Sequence, residues 1–301
     1  MSLNGEPVTL CLALDIGATK MEAGFVDKRG DILRSEGSST PPGDDAERIF
    51  LEVTRLLDGL LGSDGNKPSA LGVGCAGPVN NRSEVSPLNI PAWRGFPLRL
   101  RLEERYGLPT FLELDTKALA LAEGWRGAAR GSQNYLAMVV SSGIGGGLVL
   151  DGRLVEGRTG NAGHVGHVIV EQGGRPCSCG GKGCLEAEAS GWAIASITGR
   201  PPSEAGADMV ERTGRLVGVA LASVANLCDL DLFVVAGSVA LGYGGPFFEA
   251  ASSALHENAK QSYARTTRVV PAGLGKKAPL VGAAAVGWRG LGEELLAEIL
   301  K

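Results

Sequence analysis

No apolar run in this chain approaches the ~18 residues that mark a membrane-spanning helix, so a spanning protein is not expected. Residues 1–8 (Met-Ser-Leu-Asn-Gly-Glu-Pro-Val) have neither the basic start nor the apolar centre of a secretory leader, and a cytoplasmic location is expected. Basic excess is missing too. With 29 Lys and Arg against 33 Asp and Glu, the net charge is -4 and the pI 5.6. That balance offers no electrostatic footprint for nucleic acid, and no lysine-rich patch marks a membrane surface, so small-molecule partners are expected. Cysteines are few and widely spread, apart from three at 177–184, which argues against a secreted disulfide framework. Cys11, Cys75 and Cys228 stand alone in apolar segments and read as small buried hydrophobes.

Glycine is what the chain has in abundance: 46 residues of 301, roughly twice the usual share of about 7%. The length suits two domains. Thr9 to Leu14 is an apolar run that meets the turn Asp15-Ile16-Gly17-Ala18-Thr19-Lys20, and Met21–Val26 and Asp31–Ser35 read as further strands around a hairpin turn at Asp27–Gly30. Apolar residues from Ile49 to Leu60 recur at helical spacing, with Asp44 and Glu47 as a capping box and Gly62 as a stop. Leu71–Cys75 and Thr110–Leu114 read as buried strands, and Thr116–Trp125 as a helix beginning directly after Asp115. The second half echoes the first. Tyr135–Val140 is a strand, Ser141–Gly147 a glycine turn and Leu148–Leu150 a strand; Met209–Leu227 and Phe247–Ala259 read as helices flanking a strand at Leu232–Ala236. Strands alternating with helices imply an α/β fold. No low-complexity linker is visible, so the boundary near Asp115 rests on the echo alone.

Several of these turns carry chemistry. Backbone N–H groups of the Asp15–Lys20 turn can surround an anion, with phosphate the natural guest. Lys20 would add charge there, and Asp15 could hold hydrated Mg²⁺; the plain alternative is an Asx-type turn with a solvated lysine. Ser141-Ser142-Gly143-Ile144-Gly145-Gly146-Gly147 repeats the arrangement, and the pair suggests a nucleotide cleft. Ala236-Gly237-Ser238-Val239 adds a third small-residue turn, either for adenine or ribose or merely for tight strand–helix packing. His167, Cys177, Cys179 and Cys184 supply one imidazole and three thiols, the set of a closed structural zinc site with no open position for catalysis. A zinc hydrolase is therefore disfavoured.

Two phosphate turns, the Gly237 turn and Cys-x-Cys-Gly-x-x-Gly-Cys-x-Glu from Cys177 to Glu186, in this order, resemble a sugar kinase of the ROK family, within the actin, hexokinase and Hsp70 superfamily. The resemblance runs from about Leu12 to Ala285. It implies two RNase H-like (actin-like ATPase) α/β lobes around a central cleft: a smaller lobe of residues 1–115 plus 286–301, with a helix at Leu291–Leu300 returning to it, and a larger lobe of 116–285 carrying the zinc loop. It implies a homodimer that uses ATP and Mg²⁺ with a structural Zn²⁺ to phosphorylate the 6-hydroxyl of a hexose or N-acetylhexosamine, glucose or N-acetylmannosamine foremost. Polyphosphate is an alternative donor. Asp115 matches the family's general base, although an aspartate there also suits a helix N-cap. Asp15, Gly17, Thr19, Lys20, Ser142, Gly143, Gly145 and Gly237 fall at nucleotide and phosphate positions. Asn89, Asp115, His164, His167 and Glu186 fall at sugar positions, and His167, Cys177, Cys179 and Cys184 at the zinc ligands.

The pattern departs in three places. His164 stands where many family hexokinases have a glutamate, which resembles N-acetylmannosamine kinases, and it could instead compete for zinc. Leu114 and Lys117 stand where the family usually shows asparagine. Leu114 cannot bond a hydroxyl, a loss of about 1 to 3 kcal/mol per buried polar partner. Lys117 could reach phosphate or Glu113, or be simply solvated. The rival function is a non-catalytic sugar sensor of the ROK type without a DNA-binding domain, since the first strand begins near Thr9 and leaves no room for one ahead of it.

Overall fold

The computed structural model describes residues 9–64 and 67–296. Residues 1–8, read above for a leader, lie outside them. Two compact units are present, one of residues 1–126, 156–161 and 276–301, the other of residues 127–155 and 162–275.

Unit 1 opens with a meander of β1 (Leu10–Ile16), β2 (Lys20–Asp27) and β3 (Ile32–Ser39), followed by helix α1 (Ala46–Asp64) and strand β4 (Ala70–Cys75). A two-stranded ribbon, β5 (Val79–Asn80) with β6 (Glu84–Val85), precedes α2 (Leu98–Tyr106), β7 (Thr110–Leu114) and α3 (Asp115–Arg126). The sheet order is β3-β2-β1-β4-β7, antiparallel in the meander and parallel from β1 to β7. Strand β1 is buried on both faces, which explains its unbroken apolar run. Leu10, Leu12, Leu14 and Ile16 enter the core under α1, while Cys11 and Ala13 face the last helix. The cap of α1 is one residue later than the sequence suggests, because Asp45 Oδ1 accepts the Glu47 and Arg48 N–H groups at 3.0 and 3.1 Å. Gly62 does not stop the helix, which runs on to Asp64.

Unit 2 builds the same sheet again. Strands β8 (Tyr135–Val140), β9 (Ile144–Leu150) and β10 (Arg153–Leu154) form the meander. Helices α4 (Leu185–Ala189), α5 (Gly191–Thr198) and α6 (Ala207–Cys228) follow, then β11 (Leu232–Ala236), α7 (Ser238–Tyr243), α8 (Gly245–Asn258) and β12 (Arg268–Pro271). The order is β10-β9-β8-β11-β12, with the same antiparallel and parallel pairings. Leu136, Met138 and Val140 pack with Leu216, Val217 and Leu221 of α6 and with Phe247 and Ala251 of α8. Glycines 145–147 are strand, not turn: they pair with Ala137, Met138 and Val139, so the turn is only Ser141–Gly143.

The chain then re-enters unit 1 as α9 (Ala278–Gly290). This helix crosses the sheet where Gly72 has no side chain; a Cβ there would collide with the Ala283 carbonyl. The expected helix at Leu291–Leu300 is replaced by α9 as the element that packs on unit 1, for residues 291–296 are not helical and 297–300 lie outside the described residues. Helix α3, placed by the echo in the larger lobe, belongs to unit 1, as do residues 276–285.

Candidate active site and metal centre

Parallel pairing brings the C-terminal ends of β1, β4 and β7 to one edge of the unit 1 sheet. Asp15 stands in register with Gly74, Gly74 with Glu113, and Asp115 follows β7 directly. A Cβ on Gly74 would lie 3.4 Å from Asp15 Oδ1 and 3.8 Å from Asp115 Cα, so the bare glycine lets the two acids share one hollow. Burial, followed by the Asp115 and Glu22 charges, pushes the Asp15 carboxyl up to about 7, against the pull of Lys20. Burial likewise raises the Asp115 carboxyl, opposed by the Thr116 N–H that donates to its Oδ1 at 2.7 Å. An acid with one oxygen held by its own helix and an elevated proton affinity can take a proton from an alcohol.

The adjoining β1–β2 turn is pinned. The Gly17 N–H donates to Lys20 O at 3.0 Å, Thr40 Oγ1 donates to Gly17 O at 2.8 Å, and the Thr40 N–H donates to Thr19 O at 3.1 Å. Lys20 itself pairs with Glu22 at 2.8 Å from an exposed position, so its ammonium is engaged on its own strand.

In unit 2 the corresponding turn is fixed by a carboxylate. Glu186 Oε2 accepts the Ile144 N–H at 3.0 Å and lies 3.1 Å from where a Gly143 Cβ would stand. Ser141 O accepts the Gly191 N–H at 2.7 Å, and the Ser141 and Ser238 hydroxyls are 2.9 Å apart. Gly237 adopts φ 102°, a region open to glycine, and lies against the Val140 backbone, so its packing reading holds. Beside these turns opens a cavity of about 520 Å³ with Ser142, Trp192, Pro202, Ser238, Val239 and Tyr243 in its wall. Tyr243 Oη is buried with no hydrogen-bond partner among the described residues. The sequence reading named neither Trp192 nor Tyr243; no motif marks them, and α5 and α7 bring them together from positions 51 residues apart.

Four donors of the glycine-rich loop converge, with the ligand atoms of His167, Cys177, Cys179 and Cys184 all within 4.8 Å of one another. The Cys179–Cys184 Sγ separation is 3.7 Å, as is that from Cys177 Sγ to His167 Nδ1. Edges near 3.7 Å are what a tetrahedron with Zn–S of about 2.3 Å requires. The donor set therefore fits zinc, with Nδ1 as the imidazole ligand and Nε2 left for another partner. His164 is exposed, its ring centroid 6.0 Å from that of His167, and it does not join the cluster. The loop is also clamped from outside the metal set. Glu188, fully buried, accepts the Arg175 N–H at 2.6 Å and pairs with the Arg175 and Arg212 guanidinium groups, both at 2.8 Å.

Asn89 is exposed in the turn before Pro91, within unit 1. Leu114 is 2% exposed and packs in the unit 1 core over Gly77. Lys117 is not solvated: it is fully buried and paired with Glu113 at 3.2 Å and Glu156 at 2.7 Å. Among the described residues no helix is long and apolar enough to cross a membrane.

Comparison with known proteins agrees with this frame. The ROK family profile matches residues 11–288. The chain is 30% identical to the glucokinase of Streptomyces coelicolor, covering 91% of this chain and 96% of that protein. It is 31% identical to the N-acetylmannosamine kinase of Haemophilus influenzae, over 78% of this chain and 82% of that one. A match to the Thermotoga maritima glucokinase is 37% identical but spans 59% of that protein's length. Among solved structures, the ROK hexokinase of Thermus thermophilus superposes with a TM-score of 0.82 at 33% identity, covering 94% of this chain and 99% of that one. A Streptomyces griseus ROK glucokinase, solved with glucose and AMPPNP, gives 0.79 at 31% identity, covering 93% and 99%. The relatives named here are sugar kinases, and this chain shares their fold. It belongs to the ROK family.

Proposed function

We propose that this protein transfers the γ-phosphoryl group of ATP to the 6-hydroxyl of a hexose or N-acetylhexosamine, glucose or N-acetylmannosamine first among them. The observation that carries the reading is Asp115, held at the sheet edge with a carboxyl whose proton affinity is raised by burial. In this reading Asp115 accepts the hydroxyl proton as the sugar oxygen attacks phosphorus. Backbone N–H groups of the Gly17–Thr19 and Ser142–Gly143 turns take phosphate oxygens. The nucleoside lies in the cavity walled by Trp192, Ser238 and Tyr243, with the Gly237 turn preceding Ser238. Asp15, at the sheet edge, is the group suited to hold hydrated Mg²⁺, which would neutralise phosphate charge.

Zinc would hold the loop rather than react. With Nδ1 turned to the thiols, His167 keeps an Nε2–H that can donate to a sugar hydroxyl. Glu186 uses one carboxylate oxygen on Ile144 and can offer the other to the sugar. Asn89 and His164 are the further candidate sugar contacts. Lys20, already paired with Glu22, and Gly145, within β9, are weaker phosphate candidates. A homodimer is the state the family resemblance implies.

Purified protein with Mg²⁺ and Zn²⁺ should release ADP from ATP only when a hexose or hexosamine is added, with sugar 6-phosphate as product. A panel that includes polyphosphate as donor names the donor. Sugar binding by calorimetry without turnover on any donor would leave the non-catalytic sensor instead.

A further inference from the structure

The mechanism above leaves a buried cluster of charges unused. Unit 1 contains a short excursion, residues 156–161, that is separated in sequence from the rest of the unit by residues 127–155 and 162–275. This strap has no helix or strand of its own. Side chains hold it at both ends. At its far end the Asn161 amide bonds the Val79 backbone twice: Oδ1 accepts the Val79 N–H at 3.3 Å and Nδ2 donates to Val79 O at 3.1 Å. At its near end Glu156 Oε1 receives Arg289 at 2.6 Å and Arg82 at 3.2 Å.

Lys117 sits between. Its side chain is fully buried, and its ammonium lies 2.7 Å from Glu156 Oε2, 2.9 Å from Gly160 O and 3.2 Å from Glu113 Oε1. An ammonium has three donors, and three acceptors surround this one. Two acceptors are in the strap. The third, Glu113, is the penultimate residue of β7, and its Oε1 also accepts the Leu114 N–H at 3.0 Å. Lys117 stands in the first turn of α3, two residues after Asp115. A single buried cation therefore ties the end of β7, the start of α3 and the strap together, and Asp115 lies inside that knot.

We propose that Lys117 is a positioning residue for Asp115, fixing the β7–α3 junction by anchoring the strap 156–161 through Glu156 and Gly160. The inference rests on the reading of Asp115 as the base. A buried ion pair is weak evidence for stability, because desolvation offsets much of its attraction; setting one geometry is its better attested use. A solvated lysine would leave the junction to fray like any helix start.

The test uses the full chain and three variants: Lys117→Met, Glu156→Gln, and the double variant Glu113→Gln with Lys117→Met, which removes the carboxylate that the first leaves with only Arg289, 4.0 Å away, as its cationic partner. Steady-state constants are read with hydrogen exchange of residues 114–119 and 156–161 and with thermal melting. In Lys117→Met, kcat should fall about 10- to 100-fold, the loss expected for a base misplaced by about 1 Å. KM for ATP should stay within about twofold, and exchange in both segments should rise. Glu156→Gln should move the same quantities in the same direction. The double variant should regain melting temperature but not kcat. Recovery of both, or an unchanged kcat in folded Lys117→Met, overturns the proposal by making Lys117 a structural residue only. Failure of the base reading is told apart by Asp115→Asn: if that variant turns over like wild type, Asp115 is not the base, and positioning it has no consequence whatever exchange shows.

Discussion

The two sheets have one strand order and one set of pairings, β3-β2-β1-β4-β7 in unit 1 and β10-β9-β8-β11-β12 in unit 2, yet what hangs on them differs. In unit 1 the meander turn is pinned by a threonine, Thr40, and the adjoining edge carries two half-buried acids, Asp15 at the end of β1 and Asp115 at the start of α3. In unit 2 the equivalent turn is pinned by a carboxylate, Glu186 of α4, two residues after Cys184 of the four-donor cluster, and a cavity opens beside it. Under the proposed function the frame is repeated while the roles differ: the proposed base stands on one sheet, and the cavity and the four-donor loop on the other. Such a division predicts that damage to each unit has its own kinetic signature.

The largest effect should come from the acid side. Asp115→Asn keeps the size of the side chain and the bond to Thr116 but removes the proton acceptor, so kcat should fall by about 10²- to 10⁴-fold. Calorimetry should find sugar and ATP affinities close to wild type. A variant equal to wild type in turnover would end the division, since unit 1 would then contribute no chemistry. Next in size is the metal side. Under the proposed function, Cys184→Ser, or a chelator that strips the proposed zinc, should release the loop and weaken sugar binding by about 10- to 100-fold, the worth of one or more buried polar contacts. ATP binding should suffer later and less. Equal losses of both ligands would mean that the zinc loop supports unit 2 as a whole.

Proton affinity gives a third, smaller test confined to unit 1. Burial raises both acids, Asp15 up to about 7, where the charge of Asp115 adds to the burial. A base must be ionised, and burial raises the Asp115 carboxyl above the ordinary aspartate range, so kcat should drop on the acid side by up to about tenfold per pH unit, beginning at a higher pH than for a solvated aspartate. Stability should move the opposite way. A carboxyl whose pKa is raised by folding binds its proton more readily in the native state, so its ionisation penalty is present above pH 7 and relieved as pH falls through it. As pH falls, the melting temperature of the Mg²⁺-free protein should therefore rise while kcat of the Mg²⁺-loaded enzyme drops, and a flat kcat would show that proton transfer does not limit turnover.

How much of this was written in local sequence depends on where each partner lies. Period and punctuation found β1, β4, β7, β8, β11 and the cores of α1, α6 and α8, because each is decided by its own residues. Helix α2 escaped: Leu98, Leu100 and Leu102 alternate with arginines like a strand, but only Leu98 and Leu102, one helical turn apart, are buried. Helix α9 escaped because it is small and apolar on nearly every side, from Ala278 to Trp288, and so shows no polar face to give it a period. The glycines after Gly143 looked like turn until their strand partners in β8 were placed beside them. Cysteine spacing made the four-donor cluster legible, since all its members fall within one loop. Solvent stayed among the readings of Lys117 because its closest partner, Glu156, is 39 residues away and joins it only through the fold.

The smallest expected effect concerns the cavity of unit 2, and there the sign of two measurements decides. Tyr243 lines the cavity with a hydroxyl that is buried and, among the described residues, unpartnered. Burying such a group without a bond costs stability, and native structures rarely retain the cost without a use. If the partner is the purine of the bound nucleotide, Tyr243→Phe should raise KM for ATP by about 3- to 10-fold, the worth of one neutral hydrogen bond, while leaving kcat at saturating ATP unchanged. The ligand-free protein should melt no lower, and by the same reasoning slightly higher, because the phenyl ring fills the same space without the orphaned oxygen. A fall in melting temperature with no change in KM would mean that the hydroxyl serves the fold, and nucleoside recognition would then rest on Trp192 and the apolar wall alone.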